Sequence, residues 1–388
     1  MAKFEVKIVR IDNVERHPDA DRLDIVSIGG YRCISNRTDD GNSRYQAGDA
    51  VVYIPEQAVL PEWLLKVLGF WNEEKGMGGL AGSKGDRVKG MKLRGVLSQG
   101  VLLPTTPYAG DQVTIISESN NDLFSRHHSV GDDVAEYLGI IKYEPPIPAS
   151  MSGRVWNASG MTINFDIENI QKYPDVFVDG EEIVATEKLH GTWNLVGYYP
   201  KDDGTGLKIV TSKGLSGKGL AFELDEENKL SNLYLQVLER SRDNDGFDML
   251  ERLINFERKN NQHRPIYLLG EIFGRGVQDL AYGEMTPTFR LFDVYVGEPG
   301  QGYYMNVDDK NQLAKEIDVE MVPELYRGPF SMQKMEELRD GMDFSGSNIR
   351  EGVVILPVEE REHQTLGRVQ LKFVSPAYIL RKGGTELQ

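Results

Sequence analysis

The stretch Glu144-Pro-Pro-Ile-Pro-Ala-Ser-Met-Ser-Gly153 constrains this chain more than any other feature. Three prolines fall in four positions and small residues follow, which a helix interior or a central strand does not tolerate. The pattern predicts a linker over residues 144–159, with residues 1–143 on one side and 160–388 on the other. The two sides read differently. Before the break come short segments with turn residues between them: Phe4 to Arg10, Asp24 to Ile28, Asp49 to Ile54, Arg87 to Arg94 and Val101 to Pro104. Such spacing predicts a small antiparallel barrel. Residues 105–130, rich in Ser, Asn and Thr, read as a long loop or insertion. Beyond the break, helical spacing at Leu230, Leu233, Val237, Leu250, Leu253 and Ile254, and again over Met332 to Leu338, alternates with strand-like segments. The fold class predicted is α+β.

Composition removes several classes of function. At 388 residues the chain is long enough for two or three domains, and 40% apolar with 27% charged residues is ordinary for a globular protein. A single cysteine, Cys33, makes neither an internal disulfide nor a thiolate-rich zinc site, and the six histidines form no HExxH-type pair. His127-His128 falls in the loop-like stretch without carboxylates at metal-ligand spacing. No apolar run approaches the roughly 18 residues that a membrane helix needs, and the start lacks the apolar core of a secretion signal. The expectation is a soluble, cytoplasmic monomer with no membrane partner. A net charge of −16 argues against indiscriminate coating of nucleic acid. Lys84, Arg87, Lys89, Lys92 and Arg94 nevertheless stand together against one anion, Asp86, either to dock a polyanion or to guard a solvated strand edge.

The sharpest local pattern is Thr186-Glu187-Lys188-Leu189-His190-Gly191-Thr192. If Ile183 to His190 is a strand, period two places Val184, Thr186, Lys188 and His190 on one face, and Gly191 lets the backbone turn or approach a ligand. Lys188 could then be a nucleophile. An ordinary lysine pKa of ~10.4 leaves only about 0.1% neutral amine near neutrality, so burial, a neighbouring cation or a metal has to lower it. By itself the pattern fits a surface lysine at a strand end better. Glycine-rich Gly214 to Gly219 does not fit the G-x-x-x-x-G-K-[ST] phosphate loop and reads as a turn.

Four further segments add to it. Tyr267-Leu-Leu-Gly-Glu-Ile-Phe-Gly274 places Glu271 on an apolar strand face, where a carboxylate needs a partner. Phe289-Arg-Leu-Phe-Asp-Val-Tyr295 carries Phe292 and Asp293, Arg350-Glu-Gly-Val-Val-Ile355 opens with Glu351, and Arg368-Val-Gln-Leu-Lys-Phe-Val374 alternates with Lys372 on its polar side. Taken singly, Phe292 could be a core aromatic, Glu351 a capping carboxylate and Lys372 a solvated cation.

Taken in order, Lys-x-His-Gly, Ser212-Lys213-Gly214, Gly-Glu-Ile-Phe-Gly, Phe-Asp-Val, Glu-Gly-Val-Val-Ile and Leu-Lys-Phe resemble motifs I, Ia, III, IIIa, IV and V of the covalent nucleotidyltransferases. These are the RNA ligases, DNA ligases and capping enzymes, and the match covers about residues 160–380. His190 stands where DNA ligases usually carry Asp, and the 21-residue gap from Glu351 to Lys372 suits RNA ligases. His17-Pro-Asp-Ala-Asp-Arg-Leu23, Gly48 to Pro55 and Lys92 to Gly100 resemble the OB-fold module of the fifth RNA ligase family, which precedes its transferase domain. In DNA ligases and capping enzymes the OB domain follows motif V, and the sixteen residues after Lys372 are too few for one.

The resemblance implies an N-terminal OB-like β-barrel over 1–143 and, over 160–388, an adenylyltransferase domain of ATP-grasp-like antiparallel sheets with flanking helices. It implies ATP and Mg²⁺ or Mn²⁺ as cofactors, and RNA with 3′-OH and 5′-phosphate ends, in nicked duplexes, as partner. Lys188 would carry AMP, assisted catalytically by His190, Glu351 and Lys372. Glu187, Gly191, Thr192, Lys213, Glu271, Phe292 and Asp293 would hold the nucleotide, with Phe292 on adenine, and Glu351 would engage the cation, directly or through water. Cations there would lower the Lys188 pKa. Motif V often reads Lys-x-Lys. Here Gln370-Leu-Lys372-Phe-Val374 keeps one lysine, taken as the first of the pair. Tyr31, Tyr45 and Tyr53 are candidates for stacking on RNA or for the barrel core. The alternatives within reach are a DNA ligase, a capping guanylyltransferase and an RNA-binding protein that only holds nucleotide.

Overall fold

The computed structural model describes residues 4–119, 122–240, 247–260 and 263–385. The chain divides into two compact units, of which one runs to Glu144 and takes in Ile170–Pro174. The other holds Pro145–Asn169 and the described residues from Asp175 onward.

In the first unit the strand Ala50–Ile54 lies between Lys7–Arg10 and Val101–Pro104, antiparallel to both. Period two explains why this segment reads as continuously apolar. Val52 and Ile54 face one cluster with Ile8, Leu64, Leu103 and Ile115, while Val51 faces another with Val26, Cys33, Tyr45 and Leu102. A separate sheet orders Asn13–Arg16, Leu23–Ile28 and Tyr31–Asn36. The strands thus form several open sheets rather than one closed ladder. Burial pushes the Cys33 thiol up to about 12, so this thiol is inert.

The stretch expected to be a loop is instead a three-stranded sheet, Thr106–Ala109, Gln112–Ser119 and Asp122–Ser129. Its Ser and Thr content hid an alternation in which Val113, Ile115 and Ser117 are buried while Ile116 is exposed. His127 stacks on Tyr108 with ring centroids 3.6 Å apart, so it serves a packing contact. Tyr45 belongs to the core, and Tyr31 and Tyr53 stack on each other at 5.6 Å. In the basic strip, Arg87 lies over the Tyr143 ring, whereas Lys92 and Arg94 are exposed on the hairpin of Met91–Leu93 and Val96–Ser98. Its two-residue turn, Arg94-Gly95, has both φ angles positive, as a type I′ turn requires.

The second unit contains two five-stranded sheets. One orders Glu168–Asn169, Leu371–Val374, Gly352–Pro357, Glu182–Lys188 and Glu324–Pro329; the other orders Gly206–Ser212, Thr192–Pro200, Ile266–Phe273, Thr288–Val296 and Tyr303–Tyr304. The second sheet is buried on both faces. Val196, Val210, Leu268 and Val294 pack with Tyr234, Leu250, Leu253 and Leu313 from the helices Leu233–Arg240, Met249–Asn260 and Val307–Glu316. On the other face Leu195, Ile209, Tyr267 and Leu269 are covered by Ala158, Ile163 and Phe165. Each fully buried aliphatic side chain contributes ~1.5–3 kcal/mol, so this double burial fixes the register of the strand that carries Glu271.

The proline-rich stretch is more than a tether. Met151 is buried in the helix-side core, and Val155–Asn157 pairs with Leu220–Phe222. Prolines exclude regular structure only where they stand, and the chain resumes pairing as soon as they end.

Candidate active site

Lys188 ends the strand Glu182–Lys188, where it lies opposite Gly352. Gly352 has to be glycine, because a Cβ there would stand 2.2 Å from the Phe373 carbonyl oxygen. Such close strand approach brings Glu351, one residue earlier, up to the amine, with Glu351 Oε1 2.7 Å from Lys188 Nζ. Thr186, Val354 and Lys372 form one row of this sheet, and Lys188, Gly352 and Val374 the next. Residues two apart share a face, so Lys188 and Lys372 project to the same side. Gln370 turns elsewhere and accepts from Arg368 at 3.1 Å, which leaves Lys372 as the motif V cation at the site.

The second sheet supplies Glu271. The chain turns from Lys188 into the strand Thr192–Pro200 through Gly191, whose Cβ would stand 2.1 Å from the Ile272 carbonyl oxygen and 3.0 Å from Glu271 Cγ. With no side chain in the way, the Gly191 N–H donates to the Glu271 carboxylate. Lys213 follows the neighbouring strand and donates to Asp166 at 2.9 Å. Phe292 lies between two apolar clusters, 5.3 Å from the Phe165 ring.

These groups perturb one another. Burial pushes the Glu271 carboxyl up to about 8, aided by Glu351 and opposed by Lys188 and Lys213. Lys372 falls to about 8 through burial and the Lys188 charge. Lys188 behaves opposite to the expectation from sequence. Burial favours its neutral form, but Glu351, Glu271 and Asp166 outweigh burial and hold the amine above the ordinary lysine range. Three carboxylates around one amine govern the sign. Asp166 is itself held below its usual range, because Lys213 and Lys372 overcome its burial.

Four other residues expected at the site make their contacts within the protein. Glu187 points to the opposite face from Lys188, accepts from the Phe344 N–H at 3.3 Å, and lies 3.8 Å from Arg350. Thr192 is buried in a hydrogen bond with the Tyr234 hydroxyl at 2.7 Å. Asp293, fully buried, accepts from Lys310 at 3.3 Å and from Arg368 Nη2 at 3.2 Å. His190 has both ring nitrogens engaged, by Asp279 at 2.8 Å and Tyr378 at 2.7 Å. Asp166 was missed by sequence reasoning. It lies 47 residues from Lys213 in no recognisable motif, and no local signal marks it.

A divalent cation fits this site by one direct observation: Glu351 Oε2 is buried and has no hydrogen-bond partner. Among the described residues no group of three His, Cys, Asp or Glu side chains could hold a metal.

A lysine flanked by carboxylates and cations, with a mixed and an antiparallel sheet supplying them, fits the covalent nucleotidyltransferases, and an OB-fold domain whose family model matches residues 5–105 precedes it in the chain. The RNA ligase family model matches residues 181–374, half of the chain, and the chain belongs to that family. Its fold is similar to that of Naegleria gruberi RNA ligase. A mutant of that protein with ATP and Mn aligns at 22% identity and a TM-score of 0.69, and its complex with PPi at 22% and 0.70. Both alignments cover 97% of this chain and 98% of the other. No curated protein matches. Among the described residues no helix is long and apolar enough to cross a membrane.

Proposed function

We propose that this protein is an ATP-dependent ligase that joins RNA 3′-OH and 5′-phosphate ends, in nicked duplexes, through a lysyl-AMP intermediate. The observation that carries the reading is the Lys188 amine 2.7 Å from Glu351, with Glu271, Lys372 and Asp166 around it.

In the first step Lys188 Nζ forms a bond to the α-phosphorus of ATP while the bond to the pyrophosphate oxygen breaks. The amine has to shed a proton before its lone pair is free, and Glu351 Oε1 is the acceptor already in contact. Lys372 and Lys213 carry the charge that offsets the phosphoryl oxygens. Phe292 supplies a ring face for adenine, and Glu271 an oxygen for the ribose. Mg²⁺ or Mn²⁺, when bound at Glu351, supplies further charge neutralisation. That Naegleria gruberi RNA ligase binds ATP with Mn, and PPi, supports both cofactors. A 5′-phosphate oxygen of RNA then bonds to the AMP phosphorus as the bond to Lys188 Nζ breaks and the amine is released. A ribose 3′-OH attacks the capped end and expels AMP.

We take residues 1–143 as the RNA-gripping part, with Lys84, Lys92 and Arg94 as its exposed cations, and 160–388 as the adenylyltransferase. We take the protein to act as a monomer, and a single buried cysteine fits a reducing, cytoplasmic setting. Sealing of nicked duplexes with a terminal ribose or deoxyribose on the 3′-OH side tests the reading. Preference for ribose is expected, and equal sealing of an all-DNA nick would overturn it in favour of a DNA ligase.

A further inference from the structure

Residues Ser375 to Thr385, which follow the Lys372 strand, touch the turn after Lys188 from several directions. The Ser375 N–H donates to the Glu351 carbonyl oxygen at 2.8 Å, and the Tyr378 hydroxyl reaches His190 Nδ1 at 2.7 Å. Arg381 donates to both oxygens of Asp279, at 3.0 and 3.1 Å, and its guanidinium lies 3.7 Å from the centre of the Tyr378 ring. The Thr385 N–H donates to Asp279 at 2.8 Å, and its hydroxyl to Gln278 Oε1 at 2.9 Å. Gln278 in turn donates to the Gly191 carbonyl oxygen at 3.0 Å, and the His190 N–H donates to the Tyr282 hydroxyl at 2.6 Å.

The protons in this network follow from the partners. Asp279 accepts from Arg381 and Thr385 and is held well below the usual carboxylate range, so it accepts from His190 as well. His190 Nε2 therefore carries the proton, and Nδ1 accepts from Tyr378. Arg381 Nη2, 3.3 Å from Nε2, is a second donor there and makes no hydrogen bond to it. Burial, with Arg381, keeps the imidazole neutral against Glu351 and Asp279. One tautomer and one ring orientation satisfy the Asp279 and Tyr378 contacts together, and that ring belongs to the residue two positions after the nucleophile.

We propose that Ser375 to Thr385 form a strap that positions the Lys188 turn through the His190 imidazole, with Tyr378, Asp279 and Arg381 as positioning residues for adenylate formation. The inference rests on the reading of Lys188 as nucleophile. None of the three residues needs to touch ATP. Their action is geometric, and a misplacement of about 1 Å at a reacting centre can cost on the order of a hundredfold in rate. Resealing of an RNA end that already carries AMP does not use the Lys188 amine, so the strap matters less for it.

Single-turnover transfer of AMP from α-labelled ATP is measured in Tyr378→Phe, Asp279→Ala and the double variant. The same preparations are tested for joining of pre-adenylated RNA. Each single variant is expected to lower the maximal adenylation rate about tenfold or more, with half-saturating ATP and pre-adenylated joining changed less than roughly threefold. The double variant is expected to fall no more than about threefold below the worse single, because both side chains act through one ring. If Asp279→Ala does not fold, Asp279→Asn, which keeps an acceptor for Nε2–H, is expected to show a smaller loss of the same kind. Adenylation unchanged in the singles, equal loss in pre-adenylated joining, or multiplied effects in the double variant would each overturn the strap. A wild-type protein that takes no AMP onto Lys188 would instead remove the reading beneath it.

Discussion

Two carboxylates in the catalytic unit, the buried Asp293 and the partly buried Glu271, sit on adjacent paired strands and have opposite fates. Asp293 is enclosed by Arg368 and Lys310, which overcome its burial and hold it below the ordinary carboxylate range. Glu271 faces Lys188 with Glu351 beside it, and burial wins, pushing it up to about 8. The first arrangement is closed: its charges are matched and its oxygens occupied. The second is left with groups that change protonation near neutrality, Lys372 at about 8 included. Saturated charge marks a framework element, and imperfectly compensated charge marks a place where a substrate completes the balance.

Breaking the closed arrangement has the larger effect on stability. Asp293→Ala strands the buried Lys310 and leaves Arg368 with Glu360 as its carboxylate partner, and should cost about 3–5 kcal/mol, read as a lower denaturant midpoint. Adenylation by the fraction that remains folded should change little.

Glu271→Gln sharpens the other side of the comparison with a smaller effect. The native carboxyl holds its proton up to about 8, whereas the unfolded one releases it near 4.5. Between those values the native state binds more protons, so the contribution of Glu271 to stability is present at the acid end and lost as pH rises. Glu271→Gln removes this slope. Denaturation followed between pH about 5 and about 8 should show a flatter profile in the variant than in the parent. An unchanged profile would place the titration elsewhere.

The same contrast separates what the sequence revealed from what it hid. Lys188, Glu351 and Lys372 stand out in the sequence because each lies in a short motif of one ordered set, and register puts Lys188 and Lys372 on one face of their sheet. Glu187, Thr192 and Asp293 are each next in sequence to another candidate, and neighbours on a strand point to opposite faces. Asp279, Tyr378 and Arg381 reach His190 across 89, 188 and 191 residues, and no local pattern carries contacts of that range. The sheet at Thr106–Ser129 was hidden by its polar composition, although its buried alternation was present in Val113, Ile115 and Ser117. Charge was legible only in part. The cations expected to lower the Lys188 pKa are there, but Glu351, Glu271 and Asp166 outweigh them.

The central claim is that the Lys188 amine takes up AMP covalently. Incubation with ATP and Mg²⁺ or Mn²⁺, followed by peptide mass mapping, tests it most directly. An acid-stable AMP adduct on Lys188, absent from Lys188→Ala, is the result expected. An adduct on another residue, or one that persists in Lys188→Ala, would contradict it.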